Sequence, residues 1–154
     1  MHDKVQEIKM RIETGHCLCG NICFEARGEP LWVAHCHCQS CRRSTGAPVT
    51  TFVGYPRDDV HYTCGTRKVY PSSPGVRRSF CPDCGTPLCY EADWCADETH
   101  LYISTLDQPQ CFIPKLHVHV AEQIPWLSLH DDLPRYSGFS VDAAPVNTGK
   151  HENC

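Results

Sequence analysis

No stretch of this 154-residue chain reaches the ~18 consecutive apolar residues that a membrane-spanning helix requires. A basic face is also missing. The 14 Lys and Arg residues are outnumbered by 18 Asp and Glu, giving a net charge of −4, and no basic stripe is present to follow a phosphate backbone. Nucleic acid is therefore not an expected partner. The opening Met1-His2-Asp3-Lys4-Val5 is charged and has no apolar core of a secretory signal, so the expected location is cytoplasmic, where thiols stay reduced. Helical periodicity is scarce; the only candidate is a turn around Cys38 to Ser44. No internal repeat is visible apart from recurring cysteine knuckles.

What the chain has in excess is cysteine: thirteen residues, seven of them in three tight clusters. These are Cys17-Leu-Cys19, Cys36-His-Cys38-Gln-Ser-Cys41 and Cys81-Pro-Asp-Cys84-Gly. A disulfide framework is the competing reading. Against it stand the odd count, the missing signal segment and the Cys-x-Cys spacing, in which the Cβ vectors of an extended chain point apart. Close-set thiolates separated by polar, turn-forming residues are suited to holding a metal. A tetrahedral zinc takes four ligands, so the two paired clusters, Cys17/Cys19 and Cys81/Cys84, fill one closed site. Pro82-Asp83 presets the turn of the second pair, and Gly85 lets backbone amides face the sulfurs. Cys36, Cys38 and Cys41 remain for a second site with one corner open or exchangeable, unless Cys23, Cys64, Cys89, Cys95 or a histidine closes it.

Apolar content of 41% and charged content of 21% fit one globular domain. The expected organisation is an N-terminal arm over 1–13, a zinc-binding domain over 14–139 and a disordered tail over 140–154 carrying a free Cys154. Turn signals recur every ten to fifteen residues, and the short β-branched and aromatic runs between them read as strands. These runs are 21–26, 31–35, 49–55, 60–63, 67–70, 76–80, 88–91, 101–105 and 115–120, which make an all-β domain.

Around the second cluster, His35 and His37 should point the same way, opposite Cys36, as ligands, supports behind the ligands, or solvated side chains. Arg42 and Arg43 could balance thiolate charge or grip a substrate carboxylate, and Arg78 is a further candidate for the latter. Cys64, next to Gly65, reads as exposed, whereas Cys23 and Cys111 read as buried strand residues. Trp32, Phe52, Phe80, Tyr90, Phe112 and Trp126 read as core or pocket aromatics. His117 and His119 alternate on one expected strand.

Taken together, Gly15-His16-Cys17-Leu18-Cys19-Gly20, Cys36 through Arg43, and Phe80-Cys81-Pro82-Asp83-Cys84-Gly85-Thr86-Pro87-Leu88 resemble the glutathione-dependent formaldehyde-activating enzyme family, also called centromere-protein-V-like. Thr105-Leu106-Asp107, Pro114 to Val118 and Pro125-Trp126-Leu127 fit the same pattern. The resemblance implies an Mss4-like fold, a zinc-bearing β-tent of twisted antiparallel sheets. It implies two zinc ions: a structural one on Cys17, Cys19, Cys81 and Cys84, and a catalytic, labile one on Cys36, Cys38 and Cys41. The implied activity is that of a carbon–sulfur lyase joining a small-molecule thiol such as glutathione to formaldehyde. Two other functions are compatible with such a fold: a zinc-stabilised binding or chaperone-like module, and a thiol redox enzyme of the methionine sulfoxide reductase type drawing on Cys64, Cys89, Cys95 and Cys111.

Overall fold

The computed structural model describes residues 10–139 and 145–146. The expected arm lies mostly outside that range, as do most of the expected tail and Cys154.

The chain is all-β and folds as an Mss4-like tent, with ten strands and one short α-helix among the described residues. Strands β1 (Ile12–His16), β2 (Cys23–Arg27) and β5 (Val60–Cys64) form a small antiparallel sheet in the order β1-β2-β5. A second sheet has seven strands in the order β10-β3-β4-β9-β8-β7-β6. These are β3 (Trp32–Cys36), β4 (Thr50–Pro56), β6 (Lys68–Ser73), β7 (Val76–Phe80), β8 (Pro87–Ala92), β9 (Glu98–Tyr102) and β10 (Leu116–Val118). The sheet is mixed rather than wholly antiparallel, because β10 pairs with β3 in parallel.

Strand alternation divides the large sheet into two faces of different character. One rung runs across it as Val33, Val53, Leu101, Cys89 and Ser79, all buried. Val33, Val53, Leu101 and Cys89 meet Phe24 and Ala26 of the small sheet and Ile22 just before it, and this is the principal core. Full burial of each Val, Leu or Phe there is worth roughly 1.5–3 kcal/mol. The adjacent rung, displaced by one residue, runs Trp32, Gly54, His100, Tyr90, Arg78 and Tyr70. It faces away from the core and forms the floor of a large cavity.

Three departures from the sequence reading have local causes. The strand expected over 101–105 ends at Tyr102. Residues Ile103–Thr105 coil into a 3₁₀ turn, in which the Thr105 hydroxyl donates to the Tyr102 carbonyl at 2.8 Å. β1 straddles the boundary expected between the N-terminal arm and the domain; its side chains are mostly polar, and it is held by pairing with β2. Gly15 is required within it, since an added Cβ would lie 2.3 Å from the Phe24 ring. Trp126, read as a core or pocket residue, is 72% exposed.

The helix α1 (Gln39–Thr45) begins where the sequence places it, directly after Cys38. Cys38 is the N-cap, its sulfur accepting the Cys41 amide at 3.2 Å. Gly46, at φ 71°, closes the other end in the left-handed conformation and donates to the Arg42 carbonyl. The helix therefore holds Cys38 and Cys41 one turn apart at the end of β3, where Cys36 emerges.

Candidate functional site

The first cysteine cluster is built from two matching knuckles. Gly20 donates to the Cys17 carbonyl at 3.0 Å and Gly85 to the Cys81 carbonyl at 2.9 Å, each glycine at positive φ. The Ile22 amide points at the Cys17 sulfur, 3.3 Å away. Asn21 Nδ2 donates to Asp83 Oδ2 at 2.9 Å, joining the tips of the two knuckles. The sulfurs of Cys17, Cys19, Cys81 and Cys84 lie within 4.8 Å of one another, with Cys17–Cys19 at 3.5 Å and Cys19–Cys81 at 3.7 Å. A tetrahedron with metal–sulfur bonds of about 2.3 Å has edges of about 3.8 Å, so these four thiols fit one metal ion. The Thr86 hydroxyl, followed by the amides of Thr86 and Cys19, draws Cys84 down to a pKa of about 5, ready to serve as thiolate.

Cys36, Cys38 and Cys41 form a second group on the same distance criterion, with Cys36 and Cys41 3.7 Å apart. No fourth His, Cys, Asp or Glu donor joins them among the described residues. Hydrogen bonds from Cys36 and Cys41 draw Cys38 down to a pKa of about 2, while hydrogen bonds with Cys38 and Cys41, then burial, push Cys36 up. Cys38, the N-cap of α1, is the member of the trio most readily held as thiolate.

Behind the trio lie three histidines. His35 and His37 do point the same way, away from Cys36, and both rings pack on His117, with centroids 4.8 and 5.2 Å apart. His37 Nε2 lies 2.9 Å from His117 Nδ1, and His117 Nε2 lies 3.0 Å from Asp131 Oδ2. His37 is therefore buried rather than solvated; burial, then His117 and Arg135, holds its pKa at about 4, so its ring is neutral. Its amide donates to the Val118 carbonyl, fastening the Cys36–Cys38 segment to β10. His117 and His119 do not share a strand face. His119 lies beyond β10 at φ 57° and lines the cavity, whereas His117 is fully buried.

The trio opens into a cavity of about 890 Å³. Of the two arginines expected beside a substrate, Arg43 lines this cavity. Arg42 does not; its guanidinium donates to the carbonyls of His37 and Glu122, bracing α1 against the segment after β10. Arg78 on β7 does reach the site. Its Nη2 lies 3.8 Å from Cys41 Sγ, and its Nη1 donates to the hydroxyls of Tyr102 and Ser44, each at 3.2 Å. Burial opposes the charge of Arg78, but the Cys41 sulfur and the Tyr102 oxygen outweigh it and raise its pKa. Burial also raises Tyr102, which keeps its proton. Tyr102 and Ser44 had no signal in the sequence, because strand register and helix placement bring them to the sulfur.

The other cysteines take different roles from those expected. Cys23 and Cys64 face each other across β2 and β5 and are joined as a disulfide, with Cα atoms 4.8 Å apart. This corrects the reading of Cys23 as a simple buried residue and of Cys64 as a free exposed thiol. Cys111, expected in a strand, is exposed at the end of a 3₁₀ turn, Pro109–Cys111. Cys89 is buried beside Arg67, and Cys95 is buried beside His100. None of the four proposed redox cysteines lines the cavity.

Comparison with known proteins agrees with this geometry. A stretch of 76 residues is 34% identical to an uncharacterized lyase of Schizosaccharomyces pombe, covering 49% of this chain. The chain spans about half the length of that curated relative, 55% of it. A Rhodobacter sphaeroides protein of known crystal structure superposes with a TM-score of 0.52 at 23% identity, over 61% of this chain and 87% of the other, a likeness of fold. The family model of the glutathione-dependent formaldehyde-activating enzyme matches residues 12–122. That match runs from β1 past β10 and takes in all seven clustered cysteines, so the chain belongs to the glutathione-dependent formaldehyde-activating enzyme family.

Proposed function

We propose that this chain is a carbon–sulfur lyase-type enzyme that joins a small-molecule thiol, glutathione in the first instance, to the carbonyl carbon of an aldehyde. The observation that carries this reading is the three-sulfur group at the floor of an open cavity, with a cationic side chain beside it. Cys17, Cys19, Cys81 and Cys84 would hold a structural zinc, and Cys36, Cys38 and Cys41 a second, exchangeable one. The chemistry that zinc supplies when bound to the trio is acidification of a thiol taken up at its fourth position.

The remaining work falls to the protein's own side chains. Arg43 on α1 is placed to receive a carboxylate of the thiol substrate as it enters the cavity. The Arg78 guanidinium and the Tyr102 hydroxyl, 3.2 Å apart beside Cys41, are donors for the aldehyde oxygen. Negative charge develops on that oxygen as the sulfur adds, and preorganised donors aimed at such charge are a principal source of rate enhancement. The walls of the cavity hold thiol and aldehyde together. No partner macromolecule is needed, and a cytoplasmic setting supplies the thiol.

The test is proton exchange NMR between formaldehyde and its glutathione adduct with zinc-loaded protein. Exchange faster than in buffer, and lost in Cys38→Ser, is the expected result; acceleration with neither formaldehyde nor a larger aldehyde would refute the reaction. The binding-module alternative gains no support from the trio, because no protein ligand closes its fourth corner among the described residues.

A further inference from the structure

The cavity is far larger than formaldehyde requires. At about 890 Å³ it lies near the top of the ~300–1,000 Å³ range of drug-sized ligand pockets. Formaldehyde needs little more than the ~30 Å³ occupied by one water. The lining is divided by chemistry. Along α1 and the β6–β7 hairpin it is polar: Ser40, Arg43, Ser44, Ser72 and Ser73. That side suits a charged, hydrogen-bonding thiol. Across the sheet floor it is aromatic: Trp32, Phe52, Tyr90, His100 and Tyr102.

Those rings contact one another, Tyr90 stacked on His100, Trp32 edge-on to His100 and Phe52 tilted against Tyr102. Phe52 and Tyr102 are 4.7 Å apart, Trp32 and His100 4.5 Å, and His100 and Tyr90 5.4 Å. The Trp32 indole lies over Gly54, where any Cβ would come within 2.3 Å of it. Trp94 and Phe139, which also line the cavity, pack at a tilt with centroids 4.6 Å apart although both are substantially solvent-exposed. The Glu98 carboxylate stands at the edge of this floor and takes hydrogen bonds from Trp32 Nε1 at 3.0 Å and from His100 Nε2 at 2.9 Å. It presents an acceptor to a hydroxyl on a bound ring.

We infer that the aldehyde this site favours is a planar aromatic or conjugated one, bound against the Trp32, His100 and Tyr90 rings, in preference to formaldehyde. The inference rests on the thiol-addition reading above and specifies its second substrate. Aromatic rings prefer offset or edge contacts with other rings at 4.5–7 Å, and such contacts add selectivity beyond area burial. The step balances without a redox partner. The thiolate sulfur forms an S–C bond to the aldehyde carbon, and the C=O π bond breaks. Its electron pair passes to oxygen, which takes up the proton the thiol gave up. Arg78 and Tyr102 stand where that oxygen would sit when the ring lies on the floor and the sulfur is at the trio.

Two measurements decide this. The first compares the acceleration over buffer of glutathione addition to benzaldehyde and to formaldehyde, using zinc-loaded protein. The second compares binding of two unreactive thioethers, S-benzylglutathione and S-methylglutathione, by calorimetry. The expected result is at least a tenfold larger acceleration for benzaldehyde and at least tenfold tighter binding of the benzyl thioether. Trp32→Leu should reduce both ratios at least threefold. Acceleration of formaldehyde alone, with equal affinity for the two thioethers, would overturn the aromatic assignment and leave the thiol-addition reading intact. If neither aldehyde is accelerated, both fail.

Discussion

Arg78 on β7 and Cys41 on α1 are 37 residues apart in sequence, yet a guanidinium nitrogen of one lies 3.8 Å from the sulfur of the other. That contact joins the metal-directed trio to the sheet floor. It places a fixed positive charge beside the sulfur that would receive the metal and beside the oxygen that would develop charge. Arg78→Met should reduce the rate of thiol addition by about 10²–10³-fold, the usual cost of removing one oxyanion donor. Tyr102→Phe should lower the rate less. Single-turnover rates on zinc-loaded protein check this; an unchanged rate in Arg78→Met would remove Arg78 from the reaction.

The two cysteine groups should behave differently when each loses a ligand. Zinc per chain, measured by elemental analysis, should fall from two to one in Cys38→Ser with the β-sheet circular dichroism retained. Cys81→Ser should instead lose the fold, because structural zinc contributes folding free energy directly and Cys81 is fully buried between the knuckles. Unfolding of Cys38→Ser would make the trio structural as well.

Gly54→Ala tests how the cavity floor is built. The new methyl group would lie 2.3 Å from the Trp32 ring, so the indole must move or β4 must shift. The expected cost is about 1–3 kcal/mol of stability by denaturant unfolding, with altered Trp32 fluorescence. A neutral substitution would show that the indole does not lie against Gly54.

Acid should destabilise the fold through its buried imidazoles. Burial lowers the pKa values of His117 and His100 below the ordinary 6.5, against the opposing pull of Asp131 and Glu98. The unfolded chain therefore binds protons that the folded chain refuses, so stability declines as pH drops below about 6.5. The urea midpoint should fall between pH 7.5 and 5.5, and the fall should be smaller in His117→Gln, whose amide can still reach Asp131. Equal slopes in the two proteins would exclude His117 as a contributor.

The Cys23–Cys64 link closes a segment with a sequence separation of 41, and a crosslink over that length typically adds about 2–4 kcal/mol. Cys64→Ser should lower the thermal midpoint while zinc content stays at two. Loss of zinc as well would show that the link also supports the neighbouring knuckle, whose Gly20 carbonyl lies against the Cys23 sulfur.

How much of this was legible in the chain depended on the range of each interaction. The knuckles were, because their hydrogen bonds span three to five residues and the turn residues that permit them stand within or directly after the cysteine pairs. The all-β class and the helix after Cys38 were, because alternation and capping are local signals. Arg42 and Arg43, adjacent in sequence, looked equivalent; one turn of helix sends them to different places, and only Arg43 reaches the cavity. The Cys23–Cys64 link was not legible, because it depends on the register of β2 against β5.

By itself, then, the sequence determined which sulfurs would gather, since each cluster is assembled by its own short segment and ligand number follows from tetrahedral bonding. Only the tertiary structure decided what faces them. Trp32, His100, Tyr90 and Arg78 share one rung through four successive strand pairings. A shift of one residue in any of those strands would turn its side chain into the core instead. Sheet register is set by the packing of Val33, Val53 and Leu101 on the opposite face, and no local pattern in the chain records it.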